Sequence, residues 1–138
     1  MKVSSKIRYA LQGLLDLAER YGAAGPVSVK ELAARHGISE KFLEGIFSQL
    51  RAKGLVDSIK GKTGGYLLAD RPERISLLDV MLVFEPYVVF DTDAKDDAVD
   101  VPIWTELERD LRERLSSQSL SDLLLLIKKD RGVLNYVI

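Results

Sequence analysis

The sequence contains no cysteine, one histidine and one tryptophan. Without cysteine there can be no disulfide framework, no thiolate metal site and no cysteine nucleophile. The single histidine, His36, stands at the end of a short helical pattern, where we expect a cation or cap rather than a ligand. No paired carboxylates occupy an apolar setting, so the sequence predicts no catalytic residue, no metal site and no cofactor. We therefore do not expect an enzyme.

Long hydrophobic runs are also missing. The longest are five residues, Val80 to Phe84 and Leu123 to Ile127, too short for a signal peptide or a membrane span. We expect a cytosolic protein without a membrane partner. The 138 residues are 46% hydrophobic, enough to form the core of one domain with an appended dimerisation segment.

The formal net charge is only −1, but it is unevenly distributed along the chain. Residues 1–68 contain 11 Lys and Arg against 6 Asp and Glu, a net charge of +5. Residues 69–138 contain 9 against 15, a net charge of −6. A basic half followed by an acidic half is typical of a DNA-binding protein with a separate effector or dimer segment.

The stretch from Ser28 to Leu68 predicts a helix-turn-helix followed by a β wing. Ser28 and Glu31 have the spacing of a capping box that begins a helix ending at Gly37. Ser39 then caps a second helix. The apolar residues of this second helix recur on one face and are expected to be buried: Leu43, Ile46, Phe47 and Leu50.

The opposite face of the second helix is polar and has a glycine at its centre. In a major groove, Lys41 could donate to guanine and Glu44 could accept from cytosine. Gly45 costs ~1 kcal/mol relative to alanine in a helix interior, which suits a face that a large partner approaches closely. An ordinary solvated helix face is the alternative.

The wing is predicted from two strands, Leu55 to Ile59 and Tyr66 to Leu68, around a glycine-rich loop. Its glycines allow the positive φ angles of a tight hairpin, and Lys60 and Lys62 could reach phosphates or the minor groove. A nucleotide-binding loop is the alternative. It is disfavoured because Walker spacing is missing and no helix begins directly after the loop.

An opening helix is predicted from about Ser5 to Tyr21. Lys6, Arg8 and Tyr9 lie at its start, where helix amides and cations favour a phosphate. The predicted buried stripe of this helix is Ile7, Leu11, Leu14, Leu15 and Ala18.

After the wing, Ser76 is expected to cap a short helix that ends at Phe84, with Asp79 as its acidic third residue. Residues 87–101 have no clear period and contain five aspartates. We expect a solvated, mobile acidic loop rather than an EF-hand calcium site, whose central glycine and terminal glutamate are missing.

The C-terminal segment predicts a dimer. A helix from about Ile103 to Ser116 has an apolar stripe opposite a charged face, and a two-fold mate is the simplest partner for such a helix. Ser119 is expected to cap a further helix. The apolar stripe of the long helix, and thus the candidate dimer contact, is Trp104, Leu107, Leu111 and Leu115.

Together these motifs resemble the winged-helix repressors of the IscR, NsrR and CymR type, the Rrf2 family. The resemblance covers essentially the whole chain. It implies a homodimer that binds imperfectly palindromic operators in double-stranded DNA and usually represses. The matching motifs are Ser5-Lys6-x-Arg8-Tyr9-Ala10, Ile38-Ser39-x-x-x-Leu43-Glu44, Gly54-Leu55-Val56, Gly64-Gly65-Tyr66-Leu67-Leu68 and Trp104.

The resemblance also implies roles for individual residues. Tyr9 and the first turn of the recognition helix would contact phosphates, Glu44 would face bases, and Lys60 would replace a wing arginine that enters the minor groove. Lysine lacks the planar fork of arginine and should read a narrow groove less sharply. The complete candidate DNA-binding set is Lys6, Arg8, Tyr9, Ser28, Ser39, Lys41, Phe42, Glu44, Gly45, Ser48, Gln49, Lys60, Lys62, Thr63, Gly64, Gly65 and Tyr66.

The relatives differ in how they sense a regulatory signal. IscR-like and NsrR-like relatives hold an iron–sulfur cluster through three cysteines before the long helix, and residues 87–101 have none, so we expect no cluster. The cysteine-free pattern and the tail resemble the CymR branch, which represses cysteine and sulfur metabolism genes. That branch implies cysteine synthase as a partner whose cleft receives a C-terminal isoleucine. The alternative is a tail, Tyr136, Val137 and Ile138, that packs onto the dimer core.

The predicted fold is mainly α with a small β wing. We expect a winged helix-turn-helix domain in residues 1–70, a linker helix and acidic loop in 71–102, and dimerisation helices and tail in 103–138. The predicted function is a dimeric, cluster-free transcriptional repressor. Two alternatives remain open: a winged-helix regulator that responds to a small-molecule ligand, and a winged-helix docking module that does not bind DNA. A salt-dependent gel shift would separate DNA binding from docking, because phosphate contacts release counterions.

Overall fold

The computed structural model describes residues 3–85 and 102–136, with side chains as far as residue 131. Within these ranges the chain forms helices around one antiparallel hairpin. The elements are α1 (Ser5–Glu19), α2 (Val29–His36), α3 (Glu40–Ala52), β1 (Val56–Ile59), β2 (Gly65–Leu68), a 3₁₀ turn (Pro72–Arg74), α4 (Leu77–Phe84), α5 (Pro102–Ser116) and α6 (Leu120–Tyr136).

Helix α1 is capped by Ser4, whose side chain accepts a hydrogen bond from the Ile7 amide at 3.3 Å. The predicted stripe was partly wrong, because Leu11 and Leu15 are only half-buried. The helix instead turns its small residues inward, which lets the side chains of α3 approach its backbone closely. The buried residues of α1 are Ile7, Ala10, Gly13, Leu14, Leu17 and Ala18.

Helices α2 and α3 form the predicted helix-turn-helix. Ser28 caps α2 by accepting from the Glu31 amide at 3.1 Å, while the Glu31 carboxylate accepts from Arg20 at 2.9 Å. In the predicted capping box the Glu31 side chain would accept from the Ser28 amide. It instead bonds to Arg20 at the end of α1. Gly37 ends α2 at φ 64°, a conformation that favours glycine.

The α2 end is also tied to α1 through His36. Its Nε2 lies 2.5 Å from the Asp16 carboxylate, and the pair is partly buried. His36 therefore lies at the end of α2, as its position in the sequence suggested. Its link to α1 through Asp16 was not predicted.

Strands β1 and β2 pair with Val56 opposite Leu68 and Ile59 opposite Gly65. Val27 extends this small sheet, because its amide and carbonyl both bond to Tyr66, at 3.0 and 2.8 Å. Gly65 permits this approach, since a Cβ there would lie 2.3 Å from the Val27 oxygen. The wing is thereby fixed to the segment that enters α2.

The C-terminal elements close onto the same core. Ser76 and Asp79 form the predicted capping box of α4, and Leu120, at the start of α6, is fully buried. Leu111 and Leu115 of α5 pack against the buried pair formed by Ile7 and Met81. The whole α5 stripe was predicted as a dimer contact, whereas these two leucines pack partly within the monomer.

The first half of the α5 stripe is partly exposed. The exposed fractions are 45% for Ile103, 43% for Trp104 and 42% for Leu107. Within the described ranges, no helix is long and apolar enough to cross a membrane. The acidic segment, residues 87–101, and the tail residues Val137 and Ile138 lie outside the described residues, as does the side chain of Tyr136.

A matched pair of glycine substitutions tests the close packing of α1 on α3. A Cβ on Gly13 would lie 2.8 Å from the buried ring of Phe47, whereas a Cβ on Gly45 would meet nothing within 4 Å. Both substitutions gain the same helix propensity, about 1 kcal/mol. We expect urea unfolding to show Gly13→Ala less stable than Gly45→Ala by about 1–3 kcal/mol, the cost of overpacking. Equal stabilities would show that Phe47 does not constrain this helix crossing.

Candidate nucleic-acid interface

The polar face of α3 is open to a partner. Its apolar residues Leu43, Ile46, Phe47 and Leu50 are all at most 2% exposed, so the opposite face must point outward. This arrangement confirms the burial predicted for the second motif helix. The candidate residues on the outward face are all exposed: Lys41, Phe42, Glu44, Gly45, Ser48 and Gln49.

The first turn of α3 is joined to the start of α1. Ser39 caps α3 by accepting from the Phe42 amide at 3.3 Å. The Phe42 ring meets Tyr9 edge to face, with centroids 5.9 Å apart. Lys6 and Lys41 line one shared surface groove with Ser39 and Phe42. The structure thus brings together cations from two helices that are far apart in sequence.

The wing loop presents its cations without intramolecular cover. Lys60, Lys62 and Thr63 are exposed, and the turn between the strands closes by a hydrogen bond from the Gly64 amide to the Gly61 carbonyl at 3.1 Å. A Cβ on Gly64 would lie 2.2 Å from the Ile59 oxygen, so this glycine shapes the loop. Exposed lysines on a tight hairpin can approach phosphate oxygens.

Tyr66 has a different place from the rest of the candidate set. It is 7% exposed and its ring packs on Phe47, with centroids 4.9 Å apart. The ring therefore belongs to the core. Its hydroxyl instead donates to the Glu44 carboxylate at 3.1 Å. Gly65 likewise acts through the close approach to Val27 described above.

Electrostatics keep that hydroxyl protonated. Burial and the neighbouring Glu44 carboxylate both raise the pKa of Tyr66 above its ordinary value of 10.0. The phenol therefore remains a hydrogen-bond donor throughout the neutral and mildly alkaline range. The proton-linked stability of this raised group is fully present below pH 10.0 and is lost as pH rises through its folded-state pKa.

Two further positions complete the surface. Ser28 is half-buried at the α2 cap, so its hydroxyl already serves the helix end. Arg51, which was not among the candidates, is an exposed cation on α3 within electrostatic range of the Tyr66 hydroxyl. It follows Glu44 and Ser48 at helical spacing, and that spacing is the signal that could have identified it.

A capped recognition helix with an open polar face, beside a hairpin that carries exposed lysines, defines a winged helix-turn-helix DNA-binding protein. Residues 3–125 match the Rrf2 family of iron-dependent transcriptional regulators. The chain belongs to this family, as the resemblance predicted. The family consists of transcription regulators, which agrees with the expectation that the chain is not an enzyme.

Named relatives support the assignment. The chain is 36% identical over 124 residues to the HTH-type transcriptional regulator CymR of Bacillus subtilis, an alignment that covers 89% of each protein. It is 34% identical over 131 residues to IscR of Photorhabdus laumondii, covering 90% of this chain and 79% of IscR. The solved structure of CymR, the global cysteine regulator of B. subtilis, matches with a TM-score of 0.74, covering 91% of this chain and 98% of that one. The winged-helix fold prediction is confirmed.

The iron dependence in the family description does not fit this chain where it requires thiolate ligands. Thiolate ligands are impossible because the sequence has no cysteine. Within the part of the chain that the structure describes, no group of three or more His, Asp or Glu side chains is placed to hold a metal ion.

We predict that the purified protein is colourless and binds no iron–sulfur cluster, because the cluster requires thiolates. Anaerobic reconstitution with iron and sulfide, followed by visible absorbance and metal analysis, measures this. Stoichiometric iron and acid-labile sulfide after desalting would contradict the prediction.

Proposed function

We propose that the protein is a homodimeric repressor that binds an imperfectly palindromic operator. The observation that carries the proposal is the open polar face of α3, joined to the basic start of α1 by the contact of Tyr9 with Phe42 and to the wing by the bond of Tyr66 with Glu44. These contacts hold three DNA-facing segments in one arrangement. Only residues 1–68 have a positive net charge, which supports this half as the side that meets phosphates.

The groups divide by the kind of contact they can make. Glu44 is acceptor-only when ionised, so in a major groove it selects a base that presents a donor, such as cytosine N4. The exposed lysines of α1 and the wing suit phosphate oxygens, which every sequence offers. We therefore assign specificity to Glu44 and affinity to Lys60 and Lys62.

Two substitutions separate these roles. Glu44→Ala should relax the preference at one base pair per half-site by ~1–3 kcal/mol. Lys62→Ala should weaken all sequences alike and lower the slope of log affinity against log salt by about one. Binding titrations on operator variants over a range of salt concentrations measure both. Lys128→Ala, which removes an exposed α6 lysine outside the candidate set, is the control. An unchanged base preference in Glu44→Ala would refute its role.

The homodimer is proposed to form through α5. Ile103 and Leu107 are exposed apolar residues near its beginning, and a contiguous exposed apolar face is typical of an interface. Since Leu111 and Leu115 pack inside the monomer, the dimer contact would begin at the N-terminal half of α5. The two-fold symmetry of such a dimer would match a palindromic operator.

Leu107→Asp tests this interface without disturbing the monomer core. We expect a folded monomer, because a charge would be buried at the two-fold contact while no intramolecular core position changes. Sedimentation gives the mass, and circular dichroism gives the helix content. Tyr21→Asp, at another half-exposed position, should remain dimeric. A monomeric wild-type protein at micromolar concentration, or a dimeric Leu107→Asp variant, would contradict the proposal.

We further propose that the genes controlled belong to cysteine and sulfur metabolism, with cysteine synthase as a partner. Support comes from the similarity to the cysteine regulator of B. subtilis and from the resemblance of the tail residues Tyr136, Val137 and Ile138 to that branch. A free carboxylate beside an isoleucine can be captured by backbone amides and an apolar pocket. The tail itself lies outside the described residues, so this part rests on sequence.

A peptide that ends in Asn-Tyr-Val-Ile should bind cysteine synthase in a calorimetric titration, and the same peptide without Ile138 should not. Deleting Ile138 should abolish the complex while dimer formation and DNA binding persist. If deletion unfolds the protein and the peptide does not bind, the tail is a packing element of the dimer.

A further inference from the structure

We propose that Tyr66 is a positioning residue that holds the Glu44 carboxylate in the conformation that reads a base. The inference rests on the proposed function, in which Glu44 faces the bases. Its own basis is the bond from the Tyr66 hydroxyl to Glu44 Oε1 at 3.1 Å. The two residues are 22 positions apart, one on the wing strand and one on the recognition helix.

Tyr66 is itself rigidly held. Its amide and carbonyl both bond to Val27, at 2.8 and 3.0 Å, and it pairs with Ser58 across the hairpin. Its ring packs on the fully buried ring of Phe47. A donor fixed on three sides can restrict the side chain that it bonds.

Glu44 needs such a restraint. It lies on the exposed face of α3, and an exposed glutamate has several freely rotating bonds whose ordering opposes any contact with a base. Because the bond to Tyr66 forms in the free protein, part of the side-chain entropy of Glu44 is already lost before DNA binds. Preorganisation of this kind strengthens the correct contact more than any nonspecific one.

The bond from Tyr66 also determines which oxygen of the Glu44 carboxylate can accept from a base. With Oε1 engaged by the phenol, Oε2 is left to accept from a base edge. The other groups that act on the phenol are on α3 itself: Ser48 and the Arg51 guanidinium, both of which lower the pKa of Tyr66. The wing strand therefore sets the base preference of the recognition helix without touching DNA.

Tyr66→Phe removes only the hydroxyl oxygen and leaves the ring packed on Phe47. We expect a folded protein whose thermal midpoint is lowered slightly by the lost hydrogen bond, and about a ten-fold loss of discrimination at the base pair that Glu44 reads, the size of one hydrogen bond to a charged group. Affinity for unrelated DNA should not change. Tyr21→Phe, which removes a hydroxyl from a half-exposed tyrosine in the loop after α1, should change neither.

A double-mutant cycle gives the deciding comparison. In a Glu44→Ala background, Tyr66→Phe should have no further effect on base preference, because the group that it positions is gone. An equal loss of discrimination in both backgrounds would overturn the inference, as would a uniform loss on all sequences. Retention of the wild-type preference by Tyr66→Phe would also overturn it.

A measurement on the free protein covers the case in which Tyr66→Phe does not fold. The phenol of Tyr66 can be titrated by ¹³C NMR in the wild type and in Glu44→Gln. The pKa of Tyr66 should fall towards its ordinary value in Glu44→Gln, and an identical titration would overturn the inference. If the wild type selects no DNA motif, the proposed function itself is wrong. If the wild type selects a motif and Tyr66→Phe selects the same motif equally well, only the role of Tyr66 is wrong.

Discussion

The packing of one aromatic ring determines how the recognition helix is held. Phe47 is fully buried and touches Gly13 of α1 so closely that no Cβ fits there. On its other side it packs on Tyr66 of the wing. Because protein interiors are close-packed, the ring fixes α1, α3 and β2 relative to each other. The polar face of α3 gains its direction from this apolar contact on the opposite face.

The same arrangement connects the core with the chemistry of the surface. Tyr66 brings a buried, protonated hydroxyl to the edge of α3, where it meets the exposed Glu44. Tyr9 brings an aromatic edge to Phe42 at the first turn. Both contacts are made by side chains that are anchored in, or packed against, the core. Glu44, which we assign to a base, is therefore held by a side chain that is anchored in the core. The exposed lysines that we assign to phosphates can instead adjust to the position of the DNA backbone.

Local pattern was sufficient to predict the helix-turn-helix. The repeat of Leu43, Ile46, Phe47 and Leu50 specifies which face of α3 is buried, and Ser76 with Asp79 specifies the start of α4, because periodicity and capping act within one or two turns. The contact of Tyr66 with Glu44 was not predicted, because it depends on tertiary register. The packing of Leu111 and Leu115 against the monomer core was missed for a similar reason. The amphipathic periodicity of α5 indicates that its apolar stripe packs against another surface. It does not indicate whether that surface is formed by α1 and α4 or by a second copy of the chain.

The central claim is that a dimer of this chain recognises a symmetric DNA sequence through α3 and the wing. Selection from a random duplex library by the wild-type protein, followed by sequencing of the bound fraction, measures this directly. The structure predicts enrichment of an inverted repeat whose half-sites lie about one helical turn apart or at multiples of a turn, with affinity that falls steeply as salt rises. No enriched motif, or binding that is insensitive to salt, would contradict it.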